Sequence, residues 1–150
     1  ATRISCNGNS KTYFKESINW IADDDPYHKE KIQFDVLFDE EKIQVISNQI
    51  HNRNINKNIS NLKLYVHFEI NDDNINYTYD KVIAGEDMLE SESREFLYVN
   101  RLDGRFNYEL SYKLLKFTNH SLFPWEKTYG KGTDLLLEAE GLCKKSEVIF

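Results

Sequence analysis

Tyr65, His67 and Glu69, with Lys63, alternate with Leu62, Leu64, Val66, Phe68 and Ile70, so an extended chain puts the polar groups on one wet side and the apolar ones on a dry side. Same-face neighbours on a strand stand about 7 Å apart. At that spacing His67 is set to shuttle protons beside Glu69, in line with Tyr65, as a small hydrolase would require. A solvated sheet face has the same composition and is the preferred reading. The three residues are therefore carried forward as binding candidates, and no catalytic residue is assigned.

Other reactive groups form no constellation. His28, His51, His67 and His120 fall in separate segments without paired ligand spacing, so zinc is not expected. Asp23-Asp24-Asp25 and Asp72-Asp73-Asn74 offer oxygen ligands, but neither sits in a calcium loop with its glycine and closing glutamate. They read as turns that end strands. Gly130-Lys131-Gly132-Thr133 resembles the tail of a phosphate loop, yet Pro124 to Tyr129 lacks the leading glycine. No G-x-S-x-G, H-E-x-x-H or C-x-x-C occurs. No metal and no cofactor is expected.

Cys6 and Cys143 lie one near each end of the chain. Ends of compact domains often meet, so a disulfide between them is expected, with two unrelated buried thiols as the alternative. Such a bridge closes nearly the whole chain into one loop, worth about 5 kcal/mol in the chain-entropy account. Lys144 and Lys145 beside Cys143 would favour a thiolate, but the bridge explains the position more simply.

Recognition is the remaining class. Phe123-Pro124-Trp125 puts large aromatics beside a rigid residue in a loop, as a protein or glycan contact requires; a Trp125 folded back onto the core is the alternative. The acidic stretch Glu86 to Glu95 suits a basic partner. Net charge is −6, with basic residues scattered, so nucleic acid is not an expected partner. No apolar run approaches the length of a membrane span. The first residue is Ala1 and the single methionine is Met88, which with the cysteine pair suggests an exported (periplasmic, cell-surface or secreted) protein. Asn58, Asn76 and Asn119 match the glycosylation pattern, but so asparagine-rich a chain produces such matches by chance.

These groups must be positioned by strands. The chain of 150 residues fits one domain, and its 13% aromatic content supports a sizeable core. Alternation marks Lys31–Phe38, Ile43–Ile50, Leu62–Ile70, Ile75–Tyr79, Arg94–Asn100, Arg105–Phe117 and Asp134–Ala139 as strands. Asp39–Lys42, Asn71–Asn74 and Leu102-Asp103-Gly104 read as the turns between neighbours. Thr2–Cys6 reads as a short edge strand ended by Asn7-Gly8-Asn9, and His51–Asn61 as a surface loop.

Ser10–Ala22 fits both helical spacing (Phe14, Ile18, Ile21) and alternation (Phe14, Ile18, Trp20, with Glu16 the exception), and a short N-terminal helix is the expectation. The acidic connection Ala84–Ser93 is given at most one helical turn. Leu135–Leu137 with Glu138 and Glu140 also fits a helix, and Glu147–Phe150 a last strand. Half-dry, hairpin-linked strands predict a mainly β fold, an antiparallel β-sandwich of about seven strands, with a small antiparallel β-barrel second.

The expected function is an exported, non-enzymatic protein that binds another macromolecule through loops and an acidic surface, for instance as an inhibitor or immunity-type protein. The alternatives are a structural or adhesive subunit of a cell-surface assembly that adds strands at an open edge, and a small hydrolase or carbohydrate-binding protein.

Overall fold

The computed structural model describes residues 1–16, 28–84, 89–115, 123–124 and 133–145. Among these there is no helix and there are ten strands: β1 (Thr2–Glu16), β2 (His28–Phe38), β3 (Ile43–Ile46), β4 (Arg53–Ile55), β5 (Ile59–Ser60), β6 (Leu64–Ile70), β7 (Asn74–Ala84), β8 (Leu89–Asn100), β9 (Arg105–Leu114) and β10 (Thr133–Lys145). All pair antiparallel in one sheet of order β4-β3-β2-β1-β10-β9-β8-β7-β6-β5. The mainly β, antiparallel expectation holds, with ten strands where about seven were expected.

Laid flat, ten strands would be roughly 43 Å across. Yet β4 and β5, at opposite edges, are joined only by residues 56–58, which reach about 14 Å at full extension. The sheet therefore curls into a half-barrel. Its concave side is the core: Phe34 of β2 packs edge-on against Phe106 of β9, centroids 5.0 Å apart, although two strands lie between them in the sheet. Val36, Ile43, Val45, Ile75, Tyr77, Leu97, Val99 and Tyr108 fill the rest.

The fold line runs along β1 and β10, where inward positions are small. Gly8 faces Gly141 in register, beside Ser10 and Ala139. A Cβ on Gly141 would lie 2.1 Å from the Asn7 carbonyl oxygen, and one on Gly8 would lie 1.9 Å from that of Glu140. The backbones approach too closely for any side chain. Gly141→Ala is therefore expected to lose about 1–3 kcal/mol by forcing β1 and β10 apart. An unchanged urea midpoint would sink that account.

Several expectations need correction. Ser10–Glu16 belongs to β1, not to a helix, and β1 is a central strand, not an edge. Asn7-Gly8-Asn9 accordingly makes no turn; its glycine serves the fold line. Leu135–Leu137 is strand, as is the segment from Leu89. The supposed loop His51–Asn61 contains both edge strands, β4 and β5. Leu62 leaves the dry face and is 76% exposed, because the Asn61 side chain accepts from Lys63 N and Leu64 N and bends the chain there. Residues 17–22 of the expected helix and the suggested strand Glu147–Phe150 lie outside the described residues.

The turns form as expected. Asp39 Oδ1 accepts from Glu41 N and Lys42 N, and Asn71 Oδ1 from Asp73 N and Asn74 N. Gly104 takes φ +81°, which its lack of a Cβ permits. The two cysteines form the expected disulfide, directly opposed across β1 and β10, with Cys6 fully buried.

Candidate functional site

The outer face of β6 carries the three residues singled out by alternation. The Tyr65 and His67 rings lie in nearly parallel planes, 19° apart, with centroids 6.5 Å from each other. His67 Nε2 is 3.5 Å from Glu69 Oε1, and both side chains are about half open to solvent. Asn76 Nδ2, on the neighbouring strand, approaches Glu69 Oε2 at 3.5 Å and donates more closely to Asn74 Oδ1. The sequence thus put these groups on one face correctly, and the structure adds their exposure.

Register extends this face across the sheet. Tyr65 aligns with Asp80 and Arg94, His67 with Thr78 and Phe96, and Glu69 with Asn76 and Tyr98. Phe96 also lines two adjoining outer grooves of about 470 and 320 Å³, which share Glu109 and Glu138. Beside the face, the Glu92 carboxyl is raised above its usual range, by burial first and then by the neighbouring Asp80 charge.

Phe123 does not belong to this surface. It is 7% exposed and packs on Tyr112, centroids 5.9 Å apart, so it serves the core in place of the expected loop contact. Its neighbour Trp125 lies outside the described residues, as does Asn119.

A second polar cluster lies inside the half-barrel. Glu95 is completely buried and accepts from Arg53 Nε at 2.7 Å, from Tyr77 Oη at 3.0 Å and from Tyr108 Oη. The Arg53 guanidinium lies 3.8 Å over the Tyr79 ring. Since Arg53 is in the edge strand β4, this pair ties that edge to β8 across the interior. Burial opposes the Arg53 charge, but the Glu95 carboxylate outweighs it and raises the guanidinium pKa further. Next to it, His51 Nε2 meets Tyr112 Oη at 2.6 Å. Burial lowers the His51 pKa; Arg53 lowers it further while Glu95 pulls the other way. With its oxygens occupied and no solvent access, Glu95 holds the fold and offers a substrate nothing.

The cluster was missed in the sequence, although a signal existed. Glu95 occupies the inward register of Leu97 and Val99, a carboxylate on a dry face. The apolar run Phe96–Val99 conceals that period.

Tyr77, Tyr108 and Tyr112 all have raised pKa values, chiefly through burial, with Glu95 adding to each. Folding favours their protonated forms, so this contribution is complete below the ordinary tyrosine value of about 10 and is lost as pH rises beyond it. In an alkaline titration, tyrosinate absorbance from the fully buried Tyr77 and Tyr108 should appear only together with unfolding. Smooth titration of every tyrosine in the folded protein would contradict their burial.

Comparison with known proteins finds no matching family model, no matching curated protein and no matching solved structure. No helix among the described residues is long and apolar enough to cross a membrane.

Proposed function

We propose that this protein is an exported, non-enzymatic binding protein that recognises another macromolecule through the outer face of its sheet around β6. One observation carries the reading. The concave side is filled by aromatic core and by the Glu95 cluster, whereas Tyr65, His67 and Glu69 stand together and exposed on the outside. Exposed aromatics on a rigid strand suit recognition, because little ordering cost is added on binding. The buried disulfide is compatible with an oxidising compartment, which supports export.

The sheet edges do not favour strand addition as the binding mode. β4 and β5 have three and two residues, too short to template a long partner strand. The 3.5 Å approach of His67 to Glu69 favours a hydrolase as the second reading.

A pull-down from the envelope or secreted fraction of the source organism tests the first reading. The wild-type chain should retain a partner that a Tyr65→Ala bait retains about tenfold less well. Equal retention by both baits would remove β6 from the interface. A His67→Ala variant that abolished a measured turnover would replace the reading with the hydrolase.

A further inference from the structure

The outer face of β6 to β8 has a composition that narrows the class of partner. Aromatic side chains occupy β6 (Tyr65, His67) and β8 (Phe96, Tyr98), while β7 between them presents Asn76 and Thr78. Two strand spacings, about 9.6 Å, separate the aromatic columns. That is comparable with the length of a disaccharide. Tyr65 is 43% exposed, and the His67, Phe96 and Tyr98 rings are partly open.

A pyranose has two apolar C–H faces and a rim of hydroxyls. Rings set apart by amide, hydroxyl and carboxylate groups match that division: the π-faces take the C–H faces, and the polar groups take the hydroxyls. A protein partner calls for the opposite pattern, a continuous dry centre with polar groups at the rim. Here every ring has a polar residue directly across the strand pair.

Charge narrows the class further. Glu69 on β6, Asp80 on β7 and Glu109 on β9 lie in the same rows, against the single cation Arg94; the next row adds Glu92 and Lys113, which cancel, so the surface stays net negative. Phosphate, sulfate and uronate chains would meet repulsion.

We propose that the outer face of β6–β8 binds an uncharged polysaccharide laid across the strands. Tyr65, His67, Phe96 and Tyr98 stack on its sugar rings, and Thr78, Asn76 and Glu69 bond its hydroxyls. The proposal rests on the binding reading above and names the partner of that same face.

Native affinity electrophoresis of the full chain through gels containing a soluble β-glucan, a mannan or a galactan tests it, with dextran sulfate as the anionic counterpart. At least one neutral polymer should retard the protein. Tyr65→Ala and Phe96→Ala should each weaken that retardation about tenfold. Lys31→Ala, on the outer face of β2, should leave it unchanged, and the melting temperature of Tyr65→Ala, an exposed site, should stay at the wild-type value.

Retardation by dextran sulfate alone, or retardation that the Tyr65 and Phe96 variants leave intact, overturns the proposal. If no neutral polymer retards the chain but a protein is captured in a Tyr65-dependent way, the glycan proposal falls while the binding reading stands. If neither is seen, both fall.

Discussion

Glu95→Ala should be among the most destabilising substitutions in this protein, costing about 3–5 kcal/mol, a large part of the stability of an ordinary domain. The carboxylate removed is fully buried and receives Arg53, Tyr77 and Tyr108. Without it a largely buried guanidinium loses its counter-charge, and two hydroxyls that water cannot reach lose their acceptor. The loss also falls at a particular place in the topology. Arg53 sits in the three-residue edge strand β4, so cutting its tie to β8 frees that edge from the far side of the half-barrel.

Urea unfolding of three variants separates these contributions. Glu95→Gln keeps acceptor and shape but not charge, and should be less damaging than Glu95→Ala. Arg53→Met combined with Glu95→Leu removes both charges and fills the space. It should recover part of the loss, because a buried pair replaced by apolar groups is often close to neutral. A Glu95→Ala midpoint corresponding to less than about 1 kcal/mol would show that the cluster does not hold the curl.

The second large effect is expected from the disulfide. Cys6→Ala with Cys143→Ala should lower stability by about 2–5 kcal/mol, a fall in melting temperature on the order of 10 °C. The bridge joins residues 137 apart in sequence, so in the unfolded chain it restrains almost the full length. In the native state it links β1 and β10 at the fold line, where the two strands also meet as Gly8 and Gly141. Cys6 is fully buried and Cys143 partly so, so a reductant has to attack from the Cys143 side and should reduce the native bridge more slowly than an exposed disulfide. Rapid reduction without loss of β-sheet circular dichroism would show that the bridge lies outside the cooperative core.

Much of the local structure was legible because alternation is a local property. Phe106, Tyr108 and Leu110 fall on the dry face as their spacing requires, and so do Ile32, Phe34, Val36 and Phe38. Misreadings came where a residue answers to a distant neighbour. Asn7-Gly8-Asn9 has the composition of a turn, but Gly8 is small because Gly141 lies against it. The asparagines of His51–Asn61 suggest a loop, yet Arg53–Ile55 pairs with β3 and Ile59–Ser60 with β6.

The amino-acid sequence by itself determined the strand character of the chain, the dry and wet faces of most strands, the turns at Asp39, Asn71 and Gly104, and the pairing partner of Cys6. Each is set by side-chain period, by backbone chemistry at one or two residues, or by there being only two cysteines. Only the tertiary structure decided which strands are central, where the sheet bends, that Glu95 and Arg53 meet across the interior, and that Tyr65 and His67 share a face with Phe96 and Tyr98. Those facts depend on register between segments far apart in the chain. Register is a property of pairs of strands, and no single stretch of sequence carries it.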